Sequence, residues 1–231
     1  MKTIGLLGGM SWESTQTYYK LVNEGVRERL GGLHSAQLVL YSVDFEPIER
    51  LQNADRWDDA ATILADAARS IEAAGADFLV LCTNTMHKVA PSIEAAISMP
   101  LLHIADATAD AIKAAGLSTV GLLGTRFTMT EEFYRGRLTG QHGIEVLVPD
   151  ESEREVIDRV IFDELCLGKV LDESRERYRD IMHTLAARGA QAIVLGCTEI
   201  SMLVAPEDAP VPLFDTTKIH AERAVEAALG S

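Results

Sequence analysis

The 231-residue chain carries 21 Lys and Arg against 35 Asp and Glu, a formal charge of −14. That balance opposes a nucleic-acid or anionic-membrane surface, either of which needs clustered cations, and favours a small-molecule partner. With 47% hydrophobic residues the chain has material for a sizeable core; yet no apolar run approaches membrane-spanning length and the short run after Met1 is too brief for a signal peptide, so the cytoplasm is the expected compartment.

Taken in chain order, short apolar runs alternate with longer helical patterns. Strands are expected at 4–7, 38–42, 78–81, 101–104, 120–123, 145–148, 192–195 and 211–214. Helices are expected between them at 14–30, 57–74, 93–97, 107–115, 130–141, 153–167, 171–188 and 217–229. Gly75, Gly116, Gly143 and Gly189 stand where helix-terminating residues belong. This alternation predicts an α/β fold of parallel sheets flanked by helices.

The chain also repeats itself. Thr3-Ile4-Gly5-Leu6-Leu7-Gly8-Gly9 is echoed by Thr119-Val120-Gly121-Leu122-Leu123-Gly124-Thr125. Phe78-Leu79-Val80-Leu81-Cys82-Thr83 is echoed by Ala192-Ile193-Val194-Leu195-Gly196-Cys197-Thr198, with one extra glycine. A weaker echo joins Pro100-Leu101-Leu102 to Pro212-Leu213-Phe214. Three echoes in one order predict two pseudo-symmetric domains, each a four-stranded parallel sheet, with an active site in the interdomain cleft at the C-terminal strand ends.

Cys82 and Cys197 fall at corresponding places in this alignment, each after an apolar strand and before a possible helix start. Free N–H groups and a positive helix end at such a place favour thiolate. One thiolate removing an α-proton while the other thiol protonates the opposite face would invert a stereocentre. Each cysteine alone reads more readily as a small buried apolar residue; their coincidence under the repeat favours chemistry. Cys166 has no repeat partner and reads as packing. The three cysteines lack the spacing of a disulfide framework or a metal site, so no metal is expected.

At these motifs the sequence resembles the aspartate/glutamate racemase family, whose members act without pyridoxal phosphate. The resemblance is carried by Gly8-Gly9-Met10-Ser11-Trp12-Glu13-Ser14-Thr15, by Cys82-Thr83-Asn84-Thr85-Met86-His87 and by Gly196-Cys197-Thr198-Glu199-Ile200. It implies catalytic thiols at Cys82 and Cys197, no cofactor, an amino-acid substrate and a homodimer. It also implies a first domain of residues 1–105 plus 215–231 and a second of 106–214. Aspartate-specific members hold the distal carboxylate with two cations; here Glu49 and Cys166 fall nearest those places, and Arg50 and Lys169 are the neighbouring substitutes. That departure resembles the broad-specificity bacterial branch.

The remaining site candidates follow from position. Thr83, Asn84 and Thr85 can bind a substrate carboxylate at the turn, although Asn and Thr also cap helices. Thr125 and Thr198 occupy comparable strand ends, and Met10 and Ser11 follow the first glycine turn. Glu199 suits a substrate ammonium or the orientation of another group. His87 could assist protonation or simply fill a helix face, while His103, His142 and His220 read as structural. The rival readings are a hydantoin racemase, a maleate isomerase, a thiol-dependent decarboxylase and a non-catalytic two-lobed binding module. A dinucleotide enzyme is disfavoured because Gly5-Leu6-Leu7-Gly8-Gly9 lacks the required glycine spacing.

Overall fold

A computed structural model describes residues 1–230 as two four-stranded sheets in which every pairing is parallel. The first contains β1 (Ile4–Gly8), β2 (Leu38–Ser42), β3 (Phe78–Leu81) and β4 (Leu101–Leu102) in the order β2-β1-β3-β4. The second contains β5 (Thr119–Gly124), β6 (Glu145–Leu147), β7 (Ile193–Gly196) and β8 (Leu213–Asp215) in the order β6-β5-β7-β8. The chain divides into two compact units, Met1–Ile104 with His220–Ser231, and Ala105–Ile219.

The first unit is layered because its central strands are apolar on both faces. Leu7, Leu79 and Leu81 pack under the helix Trp57–Ala73, which buries Ala60, Ala61, Leu64, Ala67, Ala68 and Ile71. On the opposite face Ile4, Leu6, Phe78 and Val80 meet Tyr18, Val22 and Val26 of the helix Trp12–Leu30, together with Ala221, Ala224 and Val225 from the helix Thr216–Leu229. Full burial of each leucine, isoleucine or valine contributes roughly 1.5–3 kcal/mol, so two such layers outweigh the weak helix propensities of the segments that form them. In the second unit Val120, Leu122, Ile193 and Val194 are fully buried, and the helices Glu151–Asp163 and Asp172–Ala187 bury Ile157, Tyr178, Met182 and Leu185.

All eight expected strands are present, with ends shifted by a few residues. Gly75, Gly116, Gly143 and Gly189 each adopt positive φ at a helix end. Three expectations need correction. Residues 45–53, for which no helix is expected, form the helix Phe45–Asn53, which buries Ile48 and Gln52 through a periodicity too short to stand out. The helix expected at 130–141 is broken into Arg126–Thr130, a π turn at Glu132–Gly136 and Arg137–Gly140. β4 stops at Leu102 because Ile104 already opens the helix Ile104–Ala114.

His220 joins three elements of the first unit. Its Nε2–H donates to Leu102 O at 2.8 Å, and its Nδ1 accepts from the Tyr18 hydroxyl at 2.9 Å. Burial lowers its pKa to about 4. The folded state therefore holds fewer protons than the unfolded chain, and the associated stability, about 3 kcal/mol, is complete above roughly pH 6.5 and lost as pH falls toward 4. Thermal unfolding followed by circular dichroism is expected to show Tm falling across that window, with a shallower fall in His220→Gln. An equal slope in both proteins would show that His220 does not titrate as described.

Candidate active site

The ladder between β1 and β3 ends with the Cys82 N–H donating to Leu7 O at 2.9 Å. The chain then turns: Thr83 N–H donates to Leu81 O at 2.9 Å, and a 3₁₀ turn runs from Thr85 to Val89. Thr83, Asn84 and Thr85 are all buried at this strand end. Asn84 makes no side-chain cap, so capping does not account for it. The glycine motif reaches the same edge. Gly9, at φ 96°, leaves no room for a Cβ, which would lie 2.2 Å from Val43 O. Thr15 Oγ1 accepts from Gly9 N–H and donates to Ser11 O, both at 2.8 Å. Ser11 caps the helix Trp12–Leu30, and Ser14 Oγ donates to Cys82 O at 3.2 Å.

Met10, expected against substrate, packs instead in the cluster that holds Leu7, Ile48, Leu81 and Met86. Ser14 and Thr15 were not singled out in the sequence, although a serine cap three residues before a second hydroxyl was visible there. They tie the glycine turn to the end of β3.

In the second unit β7 delivers Cys197, Thr198 and Glu199 to the corresponding edge. Cys197 Sγ–H donates to Glu199 Oε2 at 3.0 Å, and the Thr198 hydroxyl donates to the same oxygen at 2.6 Å. All three side chains are buried. Thr125 accepts from Thr128 N–H and so caps the short helix that follows β5. Cys166, read as packing, is half-buried.

The strand registers correct the alignment of the two cysteines. Leu7 pairs with Leu81 in the first sheet, and Leu123 pairs with Leu195 in the second. Because Leu7 and Leu123 are repeat equivalents, Leu81 corresponds to Leu195, Cys82 to Gly196 and Thr83 to Cys197. The sequence echo placed cysteine on cysteine by allowing one extra glycine; the backbone inserts none. Cys82 also continues the inward alternation of Phe78 and Val80 and belongs to their core cluster, fully buried.

Electrostatics differ from expectation too. Burial pushes the Cys82 thiol well up. Burial first, then the Glu199 charge, pushes Cys197 up. The helices that follow are a 3₁₀ turn and the four-residue Ile200–Leu203, too short to supply a dipole that offsets desolvation. Each thiol is therefore held protonated. The Cys197 thiol proton points at the Glu199 carboxylate oxygen.

Arg50 is exposed and paired with Glu46 at 2.7 Å, on the helix Phe45–Asn53, and Lys169 is exposed in the stretch before the helix Asp172–Ala187. Among the described residues no hydrogen bond or ion pair joins either cation to the strand-end groups. No cluster of three or more His, Cys, Asp or Glu able to hold a metal occurs among them, and no helix is long and apolar enough to cross a membrane.

These features define a doubly repeated parallel α/β protein with buried thiol and hydroxyl groups at the C-terminal edge of each sheet. Residues 7–224 match the Asp/Glu/hydantoin racemase family model, and the chain belongs to that family. It is 25% identical to the broad-specificity amino-acid racemase RacX of Bacillus subtilis over 98% of both chains. A Yersinia pestis structure provisionally assigned as an Asp/Glu racemase superposes with a TM-score of 0.93 at 57% identity, covering 99% of this chain and 100% of the other. PH1733 of Pyrococcus horikoshii, an aspartate racemase homologue, gives 0.85 at 36% identity with the same coverage.

The Glu199 contact makes a direct prediction. Glu199→Gln removes the charge that helps hold the Cys197 proton, so the Cys197 pKa should fall. The pH dependence of iodoacetamide labelling, in a background lacking Cys82 and Cys166, should shift to lower pH. An unchanged or raised midpoint would contradict the electrostatic account.

Proposed function

We propose that this chain racemises a free amino acid at its α-carbon by a two-base mechanism, each unit contributing one proton-transfer group. The observation that carries the reading is the Cys197 thiol hydrogen-bonded to Glu199 at the end of β7, at the position that corresponds to the Cys82–Thr85 turn after β3, in a racemase-family chain. The family resemblance supports action without pyridoxal phosphate, on aspartate, glutamate or a broader range, by a homodimer.

Removing an α-proton leaves charge that must spread into the substrate carboxylate. Hydroxyl and amide donors at the strand ends, from Thr83, Asn84, Thr85, Thr125 and Thr198, are the groups assigned to receive it, and each preorganised donor supplies about 3 kcal/mol in comparable sites. Cys197 serves one face. When it acts as base, its proton passes to Glu199, the thiolate takes the α-proton and the opposite group gives its own proton to carbon. Transfer of the Glu199 proton to that group resets the site. The reverse reaction runs the same steps backwards, with the opposite group as base and the Cys197 thiol proton going to carbon. Arg50 and Lys169 are assigned to the distal side chain of the substrate on the resemblance alone.

Two readings exist for the opposite face. The paired-thiol reading gives it to Cys82, the better acid and base. The second rests on the registers and on the burial of Cys82 in its core cluster; it gives the face to the Thr83 hydroxyl, with Cys82 packed beneath. Proton transfer by a positioned group contributes typically about 10²–10⁴-fold. Cys197→Ala should therefore lose at least about 10³-fold in both directions, measured by chiral chromatography on single enantiomers of an amino-acid panel with a hydantoin control. Under the paired-thiol reading Cys82→Ala falls as far and Thr83→Ala less; under the second reading the order reverses. Racemisation by Cys197→Ala at near wild-type rate would remove the two-base mechanism altogether.

A further inference from the structure

We infer that His87 is a positioning residue for the turn that carries Cys82, Thr83 and Asn84, acting as an uncharged tie of fixed tautomer rather than as a proton shuttle. The inference rests on the racemase reading for what the turn does, but its geometry does not. His87 is 1% exposed and lies five residues beyond Cys82, inside the 3₁₀ turn. Both ring nitrogens are engaged by backbone. Nδ1 lies 2.7 Å from Thr83 O, an oxygen that can only accept, so Nδ1 carries the hydrogen. Nε2 accepts from the Ile104 N–H at 3.3 Å. One imidazole thus bridges the carbonyl of the strand-end turn to the first residue of the helix Ile104–Ala114.

The surroundings keep this arrangement neutral. The His103 ring stands 4.5 Å away and the His220 ring 6.0 Å away. His220 is itself fixed by Tyr18 and by Leu102 O. The short segment from Leu102 to Ile104 is therefore gripped on its carbonyl by one histidine and on its amide by another. Among the described residues no carboxylate faces His87; the groups that do are His103, His220, the Thr83 and Asn84 backbone and the Ile104 amide. Burial and the two neighbouring imidazoles both disfavour a charge there.

A neutral ring with both nitrogens occupied has no free site to pass a proton to substrate. What it can do is fix the direction of the Thr83 carbonyl and, through it, the peptide that carries the Thr83 side chain and the Asn84 N–H. Errors of about 1 Å in such placement cost roughly 100-fold in rate.

Three variants separate the possible roles. In His87→Asn the side-chain amide overlays Nδ1 and can still donate to Thr83 O. In His87→Gln the terminal amide oxygen overlays Nε2 and can accept from Ile104 N–H. His87→Leu fills the volume with neither bond. A positioning role predicts that kcat falls about 100-fold in His87→Leu, recovers to within about 5-fold of wild type in His87→Asn, and keeps an unchanged pH profile between pH 6 and 8. Equal loss in the Asn and Leu variants, or loss of a pH limb, would assign a shuttle and overturn the proposal. Full activity in His87→Leu would reduce the residue to packing and overturn it as well.

The wild-type protein supplies a readout that needs no activity and no folded variant. Long-range ¹H–¹⁵N correlation of the histidine rings should show His87 as the Nδ1–H tautomer from pH 8 to pH 5. An Nε2–H tautomer, or titration near pH 6.5, would contradict the tie. If no amino acid or hydantoin is racemised by wild type while the tautomer is as described, the functional reading fails and the geometry stands.

Discussion

The constraint on which the rest depends is the parallel ladder that aligns β3 with β1 and β7 with β5. Parallel strands must leave a sheet at the same edge, so each sheet gathers its following turns at the C-terminal ends of its central strands. In the first unit that edge collects the Gly8-Gly9 turn, the Ser11 cap and the Cys82–Thr85 turn. In the second it collects Thr125 with Cys197, Thr198 and Glu199. The hydroxyl ties from Thr15 and Ser14 then fix one turn against another. Because both faces of the central strands β1 and β3 are packed, a slip of one residue would exchange the side chains that fill the two layers. The same packing that stabilises the sheets therefore determines which residue stands at the edge.

Burial is the second theme. Cysteine chemistry usually exploits an electropositive, partly exposed setting that favours thiolate. Here both strand-end thiols are desolvated, and Cys197 faces a carboxylate. Such a site does not store a reactive thiolate in its resting state. It holds a protonated sulfur next to an oxygen that can take the proton, an arrangement suited to a group that must serve as acid for one enantiomer and base for the other. A carbon acid without an electron-sink cofactor needs that proton delivered and removed in a dry, hydrogen-bonded setting, where electrostatic interactions are strongest.

Much of this was legible in the sequence, and the reasons are specific. The eight strands announced themselves as short apolar runs, several of them bounded by glycine or proline, and the repeat of 3–9 in 119–125 marked the doubling. The two fully apolar central strands of each sheet read correctly because both faces are covered by helices. What was not legible is equally specific. The helix Phe45–Asn53 was hidden because two buried residues do not make a visible period. The break at 131–136 was hidden because a π turn leaves helical composition intact. The correspondence of Thr83 with Cys197 was masked because the eye aligns like with like, and a single glycine insertion was enough to put cysteine on cysteine. The bonds made by His87 lie beyond any pattern, since they join its ring to backbone groups four residues before it and seventeen residues after it.

The central claim is that two different groups handle the proton on the two faces of one carbon. The most direct measurement follows a single enantiomer in deuterium oxide, with isotopic content of both enantiomers determined by mass spectrometry during the first few per cent of conversion. The account predicts deuterium at the α-carbon of the newly formed enantiomer while the remaining substrate keeps its hydrogen. Equal labelling of both from the outset would mean one group serving both faces, and product formed without solvent deuterium would mean that the original proton is returned; either result would contradict it.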